Sequence, residues 1–346
     1  MTPTDRRAPL SPRSFAVTFI VVVILALFLS PLLRSVLTSL KTPAQLGEIG
    51  APLLPSLPRT FSWQGEEYEV YLVPINGVER ELALVEPGRA QSEFIDPANP
   101  AAEPITWQGS WRTLSRAWEL APAWSNYADV WDLIDYPRLL FNTIVIAIIG
   151  TIGTILSCTL VAYGFARFRF PGRSLLFTLL IATIFLPEAV TLIPTYTIYV
   201  KLGWVGTWLP LLVPTFFANA FDVFLLRQYF LTIPRDLDEA AAIDGAGPIR
   251  TLRSVLLPQA WPAVIAVSIF HFVYSWNDFF GPLIYLSTKP ELQTVAVGLA
   301  RFNTIHYRNP AYIQAGTIMT LVIPVLLFFI FQRFFVRGVV ITGVEK

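Results

Sequence analysis

Charge is scarce in this sequence. Asp, Glu, Lys and Arg make up 14% of its 346 residues, where soluble domains carry about 25%. That scarcity argues against two ordinary soluble domains, the arrangement the length alone would suggest. Cysteine occurs once, so no intrachain disulfide forms, and the place of Cys158 inside an apolar run marks it as a small buried hydrophobe rather than a ligand. Two histidines are too few for a His-rich metal site. His271 reads as a packed or pore-facing residue rather than a catalytic base, and His306 as part of an external loop without partners. The formal net charge of +1 offers no basic surface for nucleic acid and no acidic tail. Nucleotide motifs are missing too: there is no G-x-x-x-x-G-K-[ST] loop, and Gly245-Ala246-Gly247 lacks the G-x-G-x-x-G spacing and follows no strand. The expectation is a chain with no catalytic residue, no metal site and no cofactor site of its own.

Apolar surface is what the sequence has in excess. Hydrophobic residues are 54% of the chain and the mean hydropathy is +0.56. They gather in runs, and apolar runs of about 18 residues or more read as membrane spans rather than core helices. The runs are Phe15 to Leu33 and about Leu139 to Phe165, Leu175 to Val200, Trp208 to Leu226, Trp261 to Leu286 and Ile313 to Phe335, which makes six helices. The first is long for a signal-peptide core, and Arg34 to Lys41 offers no clear small-x-small cleavage site, so it reads as an uncleaved span. Lys and Arg stay on the cytoplasmic side of short loops. Arg6, Arg7, Arg13, Arg167, Arg169, Arg173, Arg227, Arg235, Arg250, Arg253, Arg333, Arg337 and Lys346 all fall on one side of a six-span arrangement. The opposite short loops hold only Lys201, Lys289, Arg301 and Arg308, so both termini are expected in the cytoplasm.

The segment Arg34 to Pro137 then lies outside. It holds 14 acidic and 7 basic residues. Its centre alternates polar and apolar residues on both sides of Asn76-Gly77, the strongest short signal for a hairpin because both residues tolerate positive φ. Trp63-Gln64-Gly65 recurs as Trp107-Gln108-Gly109, read either as equivalent strand ends or as chance. Asp96 to Pro104 reads as a loop and Thr42 to Pro58 as linker. The fold expected is an all-α polytopic membrane protein of six transmembrane helices with a small β-rich extracytoplasmic insertion between the first two. Its divisions are 1–36 (tail and first helix), 37–134 (insertion) and 135–346 (five-helix core, with a cytoplasmic loop at 232–260).

That cytoplasmic loop is unusually regular. Asp236-Leu237-Asp238-Glu239-Ala240-Ala241-Ala242-Ile243-Asp244 places acids in a first helical turn, follows them with strong helix formers, and ends at glycines. Pro248 opens a second helix with Arg250 and Arg253. A short exposed helix-turn-helix between two spans has the shape for docking into a groove of another protein; the bland alternative is a solvated loop that happens to be helical.

Glu239-Ala240-Ala241, Gly245 and then Val255-x-Leu257-Pro258 resemble the EAA motif of the membrane subunits of binding-protein-dependent ABC importers, with Val at the usual Ile position. Pro171-Gly172, Leu226-Arg227-Gln228-Tyr229-Phe230 and Trp276-Asn277-Asp278-Phe279 are similar to the MalG-type permease subunit of oligosaccharide importers. So are Leu40-Lys41-Thr42 and Asn126-Tyr127 with Trp131. The resemblance runs from about Trp131 to the C-terminus, and the long acidic β-like segment departs from it. It implies the type I ABC importer permease fold and a place in the bacterial inner membrane. It also implies four kinds of partner: a second permease subunit, a dimer of ATP-binding subunits that holds the ATP and magnesium, an extracytoplasmic solute-binding protein, and a sugar as substrate. Glu239, Ala240, Ala241, Asp244, Gly245 and Pro258 would then couple the chain to the ATPase.

Polar groups inside spans are costly and mark function or helix contacts. Asn142, Glu188, Asn219, Asp222, Asn277 and Asp278 fall in or near spans. Pro187 and Pro194 flank Glu188 and predict a break there. Sugars bind through hydroxyl hydrogen bonds and aromatic stacking, so Glu188, Asn219, Tyr274, Trp276, Asn277 and Asp278 are the candidate lining of a path; for each, a role in holding helices together is the competing reading. Two other functions stay open at this point. An ion-coupled transporter would depend on an intramembrane carboxylate such as Glu188, and a membrane-anchored sensor would bind its ligand in the external segment. A permease for a solute other than sugar is the nearest alternative.

Overall fold

The computed structural model describes residues 12–304 and 308–340, excepting the side chains of residues 12–14, 188 and 333–340. His306 and the orienting charges Arg6, Arg7 and Lys346 lie outside the described residues, as do the side chains of Arg13, Glu188, Arg333 and Arg337. The chain divides into two compact units. One reaches to Val130 and includes Phe302–Ile318; the other comprises Trp131–Arg301 and continues from Met319.

The first unit begins with helix α1 (Pro12–Ser39), apolar on every side and uncovered along its membrane-length window. A helix of that kind belongs in lipid. Its last carbonyls need donors that lipid cannot supply. Asn126 provides them, giving Nδ2 hydrogen bonds to Ser39 O at 2.8 Å and Lys41 O at 2.9 Å, while the Ser39 and Tyr127 hydroxyls pair at 2.8 Å. The separate fragments Leu40-Lys41-Thr42 and Asn126-Tyr127 thus meet at one helix end. The stretch expected as linker carries structure of its own. Thr42 caps the short helix α2 (Pro43–Gly47) by accepting from the Gln45 N–H, and buried Gln45 bonds Pro52 O, Leu54 O and the Ser56 N–H.

Eight short strands follow: β1 (Ser56–Pro58), β2 (Thr60–Trp63), β3 (Glu66–Ile75), β4 (Val78–Glu86), β5 (Gln91–Ile95), β6 (Ile105–Gln108), β7 (Ser115–Arg116) and β8 (Trp118–Leu120). β1 pairs with β8, and β2-β3-β4-β5-β6 form an antiparallel sheet with β7 also on β3. Asn76 and Gly77, both at positive φ, form the two-residue turn between β3 and β4 and set the Tyr71↔Leu82 register. Side chains alternate across the sheet: Tyr71, Val73, Leu82 and Phe94 pack on one face, Val70, Ala83 and Ala117 on the other. Burial pushes the Tyr71 phenol up to about 12, helped by its hydrogen bond to Glu69. Trp63 and Trp107 both stand at strand ends, but Gln64-Gly65 turns a hairpin and Gln108-Gly109 does not. The strands are followed by α3 (Ser125–Leu133).

The second unit is built around α4 (Tyr136–Arg167), a 32-residue helix. After it come α5 (Arg173–Ala182), α6 (Glu188–Lys201), α7 (Leu209–Leu212) and α8 (Ala220–Thr232). Next are α9 (Asp236–Ile243), α10 (Pro248–Thr251), α11 (Leu257–Asn277), α12 (Phe280–Tyr285) and α13 (Val295–Ala300), and the chain continues through α14 (Pro310–Val340). Cys158, Ala162 and Ala166 of α4 pack against Val223, Leu226 and Phe230 of α8 and Ala260, Val264 and Val267 of α11. Small residues let the backbones approach: a Cβ on Gly153 would come within 2.5 Å of Thr215 Oγ1 and 2.9 Å of the Phe216 ring. Buried Asn142 does not face a path. Its Nδ2 donates to Glu291 O and Gln293 O at 2.9 Å each, and Thr143 Oγ1 accepts from the Val295 N–H at 3.0 Å, fixing the segment before α13 to α4.

Among the described residues, five helical stretches are long and apolar enough to cross a membrane, and a further candidate is the helix pair on either side of Pro187, bent by 101°. The break falls where Pro187 removes a donor and restricts the residue before it.

Candidate functional site

Three features shape the loop between α8 and α11. α9 opens with Asp236, Asp238 and Glu239 in its first turn, where negative charge complements the helix dipole. Its end is a two-bond glycine cap: the Gly245 N–H donates to Ala242 O at 3.0 Å and the Ala246 N–H to Ala241 O at 2.8 Å, with Gly245 at φ +74°. That arrangement satisfies the last carbonyls and needs a residue free to take positive φ. The chain then turns at once into α10. The second helix is not the short separate element expected from the sequence. α10 runs through a π-helical turn, Leu252–Leu256, into α11, making one helical stretch from Pro248 to Asn277. Pro258 explains the π turn, since its ring would strike the carbonyl of Ser254 and it has no N–H to donate.

The loop is held from α4. Arg167, in the last turn of α4, forms an ion pair with Asp238 at 2.9 Å and donates Nη2 to Ile233 O at 2.9 Å. Tyr163, one turn earlier, donates its hydroxyl to Pro248 O at 3.1 Å. One face of α4 therefore grips both ends of the helical hairpin. Sequence reasoning missed this grip. It took Arg167 only as a topological charge and Tyr163 as part of an apolar run, and the one available signal was an arginine at the end of a span next to an acid-rich loop.

The burial pattern separates the motif residues. Ala241 is buried and Asp238 half-buried, while Glu239, Ala240, Ile243, Asp244 and Gly245 are exposed. At 100° per residue Glu239, Ala240 and Ile243 share the outward side of α9. Ile243 is 86% exposed and Ile249, just beyond the cap, 77%. Glu239 makes no ion pair among the described residues. The outward surface is a small apolar knob beside the exposed carboxylates of Asp236, Glu239 and Asp244, none of them in an ion pair among the described residues. Pro258 is exposed at the start of α11 and acts on backbone shape.

The path candidates do not form one group. Asn219 caps α8: its Oδ1 accepts from the Asp222 N–H at 2.9 Å and its Nδ2 donates to Asp222 Oδ2 at 2.6 Å. Trp276 is buried and stacked on Phe272. Tyr274 and Asn277 are exposed on one side of α11, in line with His271, which pairs with Thr154 of α4. Asp278 follows α11 and accepts from the Gly281 N–H at 3.1 Å, capping α12. Of Glu188 the structure gives only the backbone, at the start of α6.

Membrane-length helices, two of them joined by a short helical hairpin braced from α4, define a polytopic membrane protein. Residues 153–340 match the family described as binding-protein-dependent transport system inner membrane component, and the chain belongs to that family. It is 32% identical over 255 residues to the osmoprotective compounds uptake permease protein GgtD of Synechocystis sp., covering 73% of this chain and 85% of that one. It is 36% identical over 213 residues to the sn-glycerol-3-phosphate transport system permease protein UgpE of Agrobacterium fabrum, covering 60% and 74%. A chain of a bacterial ABC transporter involved in import of the acidic polysaccharide alginate shares the fold, with TM-score 0.64, 19% identity, and coverage of 96% of this chain and 100% of that one. The protein is a transporter component of the inner membrane rather than an enzyme.

Proposed function

We propose that this chain is one permease subunit of an ATP-driven importer for a sugar or sugar-derived solute. It pairs with a second permease, and both dock on a dimer of ATP-binding subunits that hydrolyses the ATP. A solute-binding protein delivers substrate from outside. The observation that carries the reading is the braced α9 hairpin within a permease of this family. Glu239, Ala240 and Ile243 are turned outward, and the Gly245 cap fixes the turn. Closure of the ATPase pulls on α9, and the Arg167, Tyr163 and Pro248 connections pass the displacement to α4 and α11. In this arrangement the chain spans the membrane six times, with α5 and α6 as one broken span, both termini in the cytoplasm and the β strands outside. The polar side of α11 at His271, Tyr274 and Asn277 faces the path.

The sugar assignment rests on the similarity to MalG-type permeases and on the alginate importer; the relatives named for osmoprotective compounds and for sn-glycerol-3-phosphate favour a small polyol-like solute as the second reading. Co-purification tests the coupling. The wild-type chain is expected to retain an ATP-binding subunit and the Glu239→Ala/Gly245→Val variant to lose it while still inserting. Identical behaviour of the two would sink the assignment. Calorimetry on the cognate binding protein, comparing neutral oligosaccharides with glycerol phosphates, decides the substrate class.

A further inference from the structure

An apolar groove of about 560 Å³ lies in the second unit between α4, α5 and the segment ahead of α8. Leu160 and Phe165 of α4, Leu176 and Leu180 of α5, and Phe216 and Phe217 ahead of α8 line it. Ser157 supplies its one hydroxyl, already bonded to Thr215 O at 3.0 Å. The groove offers nothing to a polar ligand along its length.

Its end at Phe165 is different. Arg173 donates Nη2 to Phe165 O at 2.5 Å, and Arg227 donates Nε to the same oxygen at 3.4 Å. The Arg227 guanidinium also lies 4.2 Å from the centre of the Phe177 ring. Two like charges are thus held on one carbonyl. Nearby Arg167 has Asp238, but none of the ion pairs among the described residues includes Arg173 or Arg227. The end of α4 contributes about half a negative charge, too little for two cations, and each guanidinium has five N–H donors of which one is accounted for here. This end carries a surplus of positive charge that an anion would balance.

The lining of the groove restricts what carries that anion. Along α4 it extends from Ser157 to Phe165, about 12 Å at 1.5 Å per residue, with apolar side chains throughout and the two arginines at one end. An amphiphile with a hydrocarbon chain and an anionic head matches that order of surfaces. Free phosphate would leave the groove empty. We propose that the groove and the Arg173–Arg227 pair bind one anionic phospholipid, its acyl chain along Leu160, Leu180 and Phe217 and its phosphate on the two guanidiniums.

Native mass spectrometry of the assembled transporter with dioleoyl phosphatidylglycerol or dioleoyl phosphatidylethanolamine tests the charge requirement. The wild type is expected to retain phosphatidylglycerol selectively, and Arg173→Gln/Arg227→Gln to weaken that retention about 30-fold without changing the phosphatidylethanolamine signal. A second measurement keeps both arginines: p-benzoylphenylalanine in place of Phe217, photolysed in native membranes, should capture phospholipid. Equal retention of the two lipids by the wild type, unchanged phosphatidylglycerol binding in the double variant, or capture of a polypeptide at position 217 would each overturn the proposal.

Discussion

Arg167, at the end of α4, and Asp238, in the first turn of α9, hold each other at 2.9 Å with side-chain exposures of only 7% and 24%. A short helix with an exposed outer face is thereby charge-locked to a long helix enclosed by its own chain. Because the pair is largely shielded, removing one partner leaves an uncompensated charge rather than a lost surface contact.

Arg167→Ala and Asp238→Ala are each expected to cost about 2–3 kcal/mol of loop stability, with the double variant Arg167→Met/Asp238→Leu losing less than either. Substrate-stimulated ATP hydrolysis in the reconstituted transporter is the readout. The singles should uncouple hydrolysis from transport, and additive losses in the double would refute the lock.

Gly245 gives a graded test of the cap. A Cβ there meets nothing within 4 Å, so substitution acts through the φ of +74° and not through a clash. Alanine should cost about 1–2 kcal/mol, valine more, and asparagine least because it tolerates the left-handed region. Retention of the ATP-binding subunit should follow the order Asn, Ala, Val, and any other order would separate the cap from docking.

Within α4, two glycines predict opposite outcomes. Gly153 abuts Thr215 and Phe216, whereas a Cβ on Gly164 has nothing within 4 Å. Gly153→Ala should lower stability by about 1–3 kcal/mol through overpacking, and Gly164→Ala should be neutral or raise it by about 0.5–1 kcal/mol through helix propensity. Thermal unfolding in detergent distinguishes them.

Asn126→Ala removes both donors that serve Ser39 O and Lys41 O. Ser39 is fully buried, so its carbonyl is left without a partner. The expected loss is about 2–3 kcal/mol at the α1 end, read as faster amide hydrogen exchange over residues 36–42. Exchange unchanged there would mean that the carbonyls find another donor.

The spans and the EAA spacing were legible because both are local: apolar length and a fixed run of small and acidic residues need no tertiary knowledge. The Asn76-Gly77 turn was legible for the same reason. What escaped was phase and partnership. α11 is apolar almost all round, so nothing in the sequence told which of Tyr274, Trp276 and Asn277 turns inward, and one residue is a rotation of 100°. Trp276 is buried while its neighbour Asn277 is not. Asn219 and Asp278 looked like path polarity and form caps in the structure, a competing use of the same side chains. The Arg167–Asp238 pair joins distant segments, and Pro258, read from the sequence only as a motif residue, shapes the backbone through a π turn.

That π turn also gives α10–α11 a place to yield. The stretch from Pro248 to Asn277 is 30 residues, about 45 Å long. Pro258 and Pro262 each lack the donor for one rung of the ladder, so the ladder is thinnest just above the hairpin. A rod with its joint near one end converts a push on the short arm into a swing of the long one. Asn277, at the far tip, would move farthest for the least strain at Gly245.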